Sequence, residues 1–410
     1  MLQRRARQVI VGMVAASLAL AFAGASAAQA SARRAGPTGT PLVIGYIGSE
    51  TGGAGGVSST QGRDSFDAWV KWTNTHGGIN GHPVKAYYAN DKSDPAVALS
   101  AVKDLAENKK VVAIVGQSVS NVGTWASYAK DQNLPVVGGT SIDATWFTNQ
   151  MFYPVGATVL SQIWGQMAAA AAAGAKRVGV LLCTEVAACQ GARAIFKAQA
   201  TANGLTETYD AVASATQPSY TAECLAAKDA KVQAFAAFVP LPVLSRDCAR
   251  QGFHPKWINA NDLPPRTAIK AAPELGRTVG AGGHWNCMGP AQPATKAFNA
   301  AMNKYHPEYM KGGKLYDQQA EVLCSTWDAG MAFKKAIENA NVAATATATR
   351  QDVIKGLAMF KGETLGGFSG PLTFNDGTVP NPQQKCVFLY KWQGTTFVPV
   401  PKNSTYTCQP

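Results

Sequence analysis

The feature of this chain that most constrains its fold is a regular alternation of short apolar runs and amphipathic stretches across residues 41–139. Runs of apolar and β-branched residues, the pattern of buried strands, recur at 42–48, 82–89, 111–115 and 134–137. Three of these runs end in loops rich in Gly, Ser, Thr and Asn. Strands that alternate with helices predict a parallel sheet, because parallel neighbours need a crossover connection. Polar loops at the carboxyl ends of such strands predict a binding cleft at that edge.

The predicted helices carry start and stop signals. The first helix ends at the Gly- and Asn-rich segment 77–81, whose residues accept positive φ. Asp94 is the expected N-cap of the next helix, and Pro95 its first residue, where a missing N–H costs nothing. A second strand–helix series follows. The remaining predicted elements are helices at 294–305, 316–341 and 350–360, and a terminal hairpin at 384–400.

Five segments, in this order, resemble the type I periplasmic binding proteins, most closely the leucine/isoleucine/valine branch: 48–56, 77–81, 90–95, 114–116 and 134–137. The resemblance implies an α/β fold of two Rossmann-like lobes with parallel sheets, joined by a three-strand hinge in a Venus-flytrap arrangement. It implies lobe 1 from residues 40–154 and 286–378, and lobe 2 from residues 155–285 and 379–410. The family's lobes close on a small solute, which is handed to a membrane permease.

The first thirty residues have the layout of a secretory signal peptide. Its three parts, a charged start, an apolar stretch and a small-x-small cleavage site, lie at 4–7, 9–23 and 28–30. The chain is therefore predicted to be exported, to the periplasm or the cell-wall space, with a flexible tail at 31–39. Arg4-Arg5 leaves both the general secretory and the twin-arginine route open. No cysteine precedes Cys183, so no lipid anchor is expected at the cleavage site.

The eight cysteines all lie in the predicted mature chain, and an even number in an exported protein indicates disulfides. Many full pairings are possible, so the sequence alone does not fix the connectivity. The predicted strands and helices favour pairing in chain order: Cys183–Cys189, Cys224–Cys248, Cys287–Cys324 and Cys386–Cys408. A metal site is not expected, since no Cys-x-x-Cys occurs and the five histidines lack ligand spacing.

Charge and motifs argue against two other classes of protein. The formal net charge is +12, and removal of the three signal arginines leaves +9, but the basic residues are dispersed singly or in pairs as on a solvated surface. Nucleic acid is therefore not an expected partner. The sequence holds none of the dinucleotide, phosphate-loop, nucleophile-elbow or His-Glu-x-x-His patterns. We expect no cofactor and no catalytic residue.

The resemblance also implies ligand-binding residues in lobe 1. Ser120 and Asn121 match the loop whose hydroxyl and amide groups hold the ligand carboxylate. Gly139, Thr140 and Ser141 match a second such loop. Ser58, with its neighbour Ser59, is placed to cover the ligand from lobe 1. Each Ser or Thr could instead cap a helix N-terminus, and the two roles are compatible.

Lobe 2 departs from the family pattern, and its predicted site keeps alternatives open. Glu185 lies where many members carry a Tyr after a strand, and it could face the cleft. Phe238 is either a cleft aromatic or a core residue. The acidic residue that pairs with a ligand amine corresponds to Asp262, or else Asn261 takes that position and the ligand is neutral or anionic. Tyr316, near the second crossing between lobes, either stacks on the ligand or packs in the hinge.

These observations predict an exported solute-binding protein and not an enzyme. The expected ligand is a small polar or amphiphilic metabolite: an amino acid, an amide or a related carboxylate. The expected partners are that solute and the permease of an ABC transporter, and the protein is expected to be a monomer. A ligand-sensing module that reports to a receptor or regulator is the alternative.

Overall fold

A computed structural model describes residues 36–51, 60–119, 122–141, 143–185, 187–259, 264–285, 287, 292–318, 321–400 and 406–410. The predicted signal peptide and most of the predicted tail lie outside these ranges. Two sheets organise the described chain, and each is the centre of one lobe. The predicted α/β fold with two lobes and parallel sheets is confirmed.

The first sheet has five parallel strands in the order β2-β1-β3-β4-β5. They are β1 Leu42–Gly48, β2 Val84–Asn90, β3 Ile114–Gln117, β4 Val136–Gly139 and β5 Phe152–Tyr153. All four predicted apolar runs of the first lobe thus contribute a strand to this sheet. The second sheet has the order β14-β13-β10-β9-β8-β6-β7, with β15 paired to β13. Its strands are β6 Arg177–Cys183, β7 Thr206–Ala213, β8 Ala234–Ala237, β9 Lys256–Asn259, β10 Val279–Gly282, β13 Cys386–Gln393, β14 Thr396–Pro399 and β15 Thr407–Cys408. A two-stranded sheet pairs β11 Lys361–Glu363 with β12 Leu372–Thr373.

Twelve α-helices of the described residues surround the two large sheets. They are α1 Gln61–Thr75, α2 Pro95–Lys103, α3 Ala126–Asp131, α4 Thr145–Thr148, α5 Val159–Ala172, α6 Ala187–Ala202, α7 Thr221–Asp229, α8 Leu241–Arg250, α9 Arg266–Ala271, α10 Lys296–Tyr305, α11 Val322–Ala340 and α12 Arg350–Ala358. The predicted cap of α2 is confirmed: the Asp94 carboxylate accepts hydrogen bonds from the backbone N–H groups of Ala96 and Val97, at 2.8 and 3.0 Å. In the described ranges, none of the helices combines the length and apolar character needed to cross a membrane.

The core of lobe 1 is built around α11, which packs against α1, α12 and the strands β3 and β4. Its buried side chains include Trp327 and Phe333. Gly330 permits the closest approach, because a Cβ there would lie 2.4 Å from the Trp69 indole of α1. In lobe 2, apolar clusters cover both faces of the second sheet, with α5 packed on β10 and β13. Two separate cores are therefore present.

The chain passes between the two sheets three times. It leaves lobe 1 after Tyr153 and returns to the helices of lobe 1 after Gly282. It leaves lobe 1 again after Thr373 to form β13. The predicted helix at 316–341 is wrong in its first part: Tyr316–Gln318 is a 3-10 turn, and α11 begins at Val322. The predicted hairpin is confirmed as β13 and β14, with Gly394 at φ 64° in its turn.

The eight cysteines form four disulfides in the predicted chain order: Cys183–Cys189, Cys224–Cys248, Cys287–Cys324 and Cys386–Cys408. The bridge from Cys287 to Cys324 anchors the segment that returns from lobe 2 onto α11. The last bridge joins two residues that are opposed in the β13–β15 pair. Each bridge therefore fixes a contact between two neighbouring elements.

Candidate functional site

The carboxyl ends of β1, β3 and β4 lie side by side and carry three polar loops. The backbone N–H of Ser49 donates to the Ser118 carbonyl at 3.2 Å, and the N–H of Thr140 donates to the Gln117 carbonyl at 3.0 Å. These bonds extend the strand pairing past the ends of the strands. The three loops therefore form one continuous edge, as expected for a ligand site in a parallel sheet.

Gln117 braces this edge and was not among the predicted site residues. Its side chain is fully buried; Nε2 donates to the Thr140 carbonyl at 2.9 Å, and Oε1 accepts from the Val119 N–H at 2.8 Å. The side chain thus holds the loops after β3 and β4 at a fixed separation. A glutamine directly after an apolar strand was the available sequence signal, but a backbone brace cannot be distinguished from a solvated loop residue without the structure.

The second predicted loop begins with a backbone that only glycine adopts easily. Gly139 has φ 113°, and a Cβ there would lie 2.0 Å from the Gln117 carbonyl oxygen. Ser141 is buried, and its hydroxyl donates to the Gly139 carbonyl at 3.3 Å. Thr140 is only partly buried, and its hydroxyl has no hydrogen-bond partner in the described chain. Of these three predicted residues, Thr140 is the one with a free side-chain hydrogen-bonding group.

The first turn of α1 lies against the same edge. The Tyr46 hydroxyl and the Ser118 hydroxyl share a hydrogen bond of 2.6 Å, and burial raises the pKa of Tyr46, so the phenol stays neutral. A Cβ at Gly62 would lie 2.7 Å from the Tyr46 oxygen and 3.0 Å from the Ser118 oxygen. Glycine therefore lets the helix N-terminus approach the strand ends. The positive end of a helix dipole favours a negative ligand group at such a position.

One buried hydroxyl on this edge is unpaired. Ser49, the residue after β1, is 5% exposed, and its Oγ has no hydrogen-bond partner within the described ranges. The neighbouring Glu50 is partly satisfied by Arg63, at 3.1 Å. A buried unpaired hydroxyl is costly and suits a position that meets a ligand. Ser49 is thus a second residue that the sequence-based site omitted.

Five predicted site residues lie outside the described residues: Ser58, Ser120, Asn121, Asn261 and Asp262. Glu185 is exposed and braces two loops of lobe 2: its carboxylate accepts from the Ser214 hydroxyl at 2.5 Å and from the Ala215 N–H at 2.9 Å. The Ser214 hydrogen bond is the main reason that the pKa of Glu185 is lowered. Phe238 is half-buried with its ring edge-on to Phe196, at 5.9 Å between centroids.

Tyr316 takes part in a contact between the lobes. The guanidinium of Arg266, on α9 of lobe 2, lies 4.3 Å from the centre of the Tyr316 ring and also donates to the Thr395 carbonyl at 2.8 Å. Burial lowers the pKa of Arg266. Next to this pair, Lys270 forms an ion pair with Asp317. The Tyr316 ring is therefore engaged by an arginine, which favours the packing alternative for this residue.

A buried histidine–carboxylate pair lies where the chain returns to lobe 1. Nδ1 of His284 is 2.8 Å from Oδ2 of Asp328 on α11, and both side chains are almost completely buried. Oδ1 of Asp328 has no partner in the described residues. Burial raises the pKa of Asp328, although the hydrogen bond to His284 acts in the opposite direction. Gly156, on the first crossing, packs against the ring; a Cβ there would lie 2.5 Å from it.

In the described part of the chain, one group of side chains has the composition of a metal site: Asp64, His306 and Glu308. Its members already satisfy one another or their neighbours. The His306 ring contacts Asp67 at 3.0 Å and Glu308 at 3.1 Å, and the Tyr309 hydroxyl donates to Asp64 at 2.7 Å. These contacts tie α1 to the end of α10. Ion pairing accounts for the arrangement without a metal.

We expect the His306→Gln variant to be destabilised by about 1 kcal/mol near pH 5.5, with the deficit fading as pH rises through the raised pKa of His306. Burial by itself would lower the pKa of His306, but hydrogen bonds to Asp67 and Glu308 raise it overall. The stabilisation is therefore complete below the unfolded-state pKa of about 6.5 and is lost as pH rises through the folded-state pKa. The pKa values of Asp67 and Glu308 are lowered, so both carboxylates stay ionised and the stabilisation by His306 persists down to about pH 4.

Urea unfolding between pH 4.5 and 8.5 measures this effect. His254→Gln is the matched control, because His254 is exposed and has no side-chain partner in the described ranges. A deficit of the same size at every pH would contradict the assignment of an ionised His306.

The structure thus has two lobes, each built on a sheet, with polar loops at the strand ends of lobe 1. Residues 41–396 match the sequence model of a family described as periplasmic binding protein. The chain belongs to this periplasmic binding protein family, whose members bind solutes. A comparison with curated proteins found no match.

Solved structures share the fold at low sequence identity. A branched-chain amino acid ABC transporter protein from Thermus thermophilus with bound valine is 13% identical, with a TM-score of 0.73, over 91% of this chain and 98% of that one. A solute-binding protein of an ABC transporter from R. palustris, in complex with 4-hydroxybenzoate, is 17% identical with a TM-score of 0.65, over 90% and 98%. A leucine-binding protein from Thermotoga maritima is 19% identical with a TM-score of 0.65, over 87% and 97%.

Proposed function

We propose that this protein is exported, captures a small carboxylate-bearing metabolite between its lobes and delivers it to the permease of an ABC transporter. The observation that carries the proposal is the continuous edge at the ends of β1, β3 and β4. It combines the free Thr140 hydroxyl, the unpaired Ser49 hydroxyl and the N-terminus of α1. These groups donate hydrogen bonds and favour negative charge, as a carboxylate requires.

Within the expected class of amino acids, amides and related carboxylates, the lobe 1 edge favours the members that carry a carboxylate. Valine and 4-hydroxybenzoate, bound by two of the similar structures, both carry a carboxylate and differ in the rest of the molecule. In the proposal, the carboxylate that these two ligands share is bound at the lobe 1 edge. The variable part would meet lobe 2, for which the sequence proposes Phe238 and either Asn261 or Asp262. The signal-like first thirty residues support export.

The test is a thermal-shift screen of aliphatic and aromatic amino acids, their amides, aromatic acids and polyols, followed by calorimetry on the hits. A ligand at a hundred times its dissociation constant should stabilise the protein by about 2.7 kcal/mol. Carboxylates should bind and their neutral amide or alcohol analogues should bind less tightly. Preference for polyols over every carboxylate would contradict the proposed ligand class.

The Thr140→Ala variant should bind the identified ligand more weakly by roughly 1–3 kcal/mol, because a ligand acceptor is left buried without its donor. Its unfolding free energy should change little, since the hydroxyl has no partner in the described chain. Thr148→Ala is the control: this hydroxyl is exposed and donates to its own helix, to the Ala144 carbonyl. Equal affinities for Thr140→Ala and Thr148→Ala would remove Thr140 from the site. Ser120→Ala tests the adjacent proposed loop in the same way.

Asp262→Asn separates two ligand classes within the proposal. A large loss of affinity means that the carboxylate of Asp262 pairs with a ligand amine, whereas unchanged affinity points to a neutral or acidic solute. Transport is tested separately from binding, by uptake of the labelled ligand in cells that lack this protein. Normal uptake together with a lost transcriptional response would assign the protein to sensing.

A further inference from the structure

A cavity of about 450 Å³ opens at the edge of the lobe 2 sheet that is opposite the proposed cleft. Its lining combines the amino ends of parallel strands with the far end of the antiparallel strand β13. The lining residues are Ala173, Gln233, His254, Lys256, Arg277, Thr278, Val279, Lys391 and Trp392. Lys256 begins β9 and Val279 begins β10, where Val279 is paired with Lys391. The described loops of the proposed cleft follow β1, β3 and β4 of the other sheet, so the two sites are separate.

The charge of this cavity has one sign. Lys256, Arg277 and Lys391 line it together with His254, and no acidic residue does. Within the described chain, no carboxylate forms an ion pair with any of the three cations. Arg277 is held in place by donating to the His254 carbonyl at 3.0 Å. Three positive charges around one concavity repel one another, and a bound anion would relieve that repulsion.

Two further basic residues, Lys176 and Arg177, lie along the same edge of the sheet. The Arg177 guanidinium, at the start of β6, donates to the Lys231 carbonyl at 2.8 Å. Gln233, a lining residue, accepts from the backbone N–H groups of Lys176 and Arg177, at 2.7 and 3.1 Å. The Lys176–Arg177 pair is thereby anchored beside the cavity. Basic residues that looked dispersed along the sequence are brought together by the strand order of this sheet.

The cavity also has an apolar wall. Ala173, the buried Val279 and the half-buried Trp392 line it, and the Trp392 ring is supported edge-on by Phe397 at 5.1 Å between centroids. An inorganic ion would leave this wall unused. Aromatic and aliphatic surface beside a cationic rim fits an organic molecule that carries its charge at one end.

We propose that this cavity binds an organic anion carrying phosphate groups. A carboxylate would balance one of the three cations, whereas a phosphate group brings up to two charges and several acceptor oxygens. Arg277 can engage phosphate oxygens through two N–H groups and the lysines act as point charges. The phosphate can belong to a free phosphorylated metabolite or to the headgroup of an anionic lipid at the membrane. The site is independent of the solute cleft.

Inorganic pyrophosphate probes the cationic rim, the part of the site that every phosphate-bearing ligand would share, and its binding is measured by calorimetry at low and at physiological salt. Vesicles of phosphatidylglycerol, with phosphatidylcholine as the neutral reference, probe the lipid source by co-sedimentation. Lys256→Gln/Lys391→Gln should weaken binding about tenfold. The control Lys130→Gln/Lys355→Gln removes the same charge from exposed positions of lobe 1 and should stay within about twofold of the original protein.

Pyrophosphate binding that is lost in the cavity variant and kept in the control supports the site with a free ligand. Binding to phosphatidylglycerol vesicles alone, with the same variant dependence, supports the site with a lipid headgroup. Absence of both kinds of binding, or equal losses in the cavity and control variants, overturns the proposal. Thr140→Ala should leave pyrophosphate affinity unchanged, so failure at the cleft and failure at this cavity are distinguishable.

Discussion

The Gly139→Ala variant is expected to lose solute binding and more than about 3 kcal/mol of unfolding free energy. Two costs add at this position. The backbone has φ 113°, where a side chain is strained, and the new Cβ would lie 2.0 Å from the carbonyl oxygen of Gln117. Relief of that clash must move the strand end that presents Thr140. Urea unfolding and ligand-induced thermal shifts measure the two losses.

Gly174→Ala is a control that separates strain from collision. Gly174 has φ 84°, but a Cβ there would meet no atom within 4 Å. It should cost only about 1 kcal/mol and leave solute binding unchanged. If the two alanine variants are equally stable and bind equally well, close packing at the end of β4 is not what requires glycine.

The His284→Ala variant is expected to be destabilised by about 3–5 kcal/mol at pH 8. Removal of the ring leaves the fully buried Asp328 carboxylate without its hydrogen-bond partner, and its other oxygen is already unpaired in the described structure. Burial raises the pKa of Asp328, so its stabilising contribution is present at low pH and is lost as pH rises from about 4. Loss of the His284 hydrogen bond raises this pKa further. The deficit should therefore be larger at pH 8 than at pH 4.5.

The double variant His284→Ala/Asp328→Asn tests whether the buried charge is the cause. It lacks the carboxylate, so it should be more stable than His284→Ala at pH 8, and its deficit should vary less with pH. His254→Ala, at an exposed position, should be nearly neutral. A double variant that is less stable than His284→Ala at pH 8 would show that shape, and not charge, determines the cost.

The fold could be predicted from the sequence because its signals are local and repeat. Each apolar run of the first lobe forms a strand. The Asp94 side chain caps its helix, and four residues of the segment 77–81 adopt the positive φ expected after the end of α1. The failure at 316–318 has a non-local cause: Tyr316 is held by Arg266 of the other lobe, and a 3-10 turn forms in place of a continued helix. Short elements such as α9, β11 and β12 lack enough residues to show a period.

The site was predicted less completely, because residue type does not reveal which polar groups remain free. Ser141 and Thr140 are neighbours with similar hydroxyls, yet the first bonds to its own loop and the second has no partner in the described chain. Gln117 and Ser49 were omitted because their roles depend on contacts across adjacent strands. Glu185 stays a predicted ligand residue that could face the cleft, and the structure adds that its carboxylate accepts three hydrogen bonds from its own and a neighbouring loop.

The three passages between the sheets determine the order in which the lobes can mature as the chain is made. The strands of the first sheet are complete at Tyr153, but α11, which covers β3 and β4, begins only at Val322. All five parallel strands of the second sheet, β6 to β10, are synthesised in between. A nascent chain therefore carries an uncovered apolar sheet face until most of its length has emerged, and such a face is prone to aggregation during that interval. For the same reason, neither lobe can be produced by simple truncation, and an isolated lobe would require its two segments to be joined by a new linker.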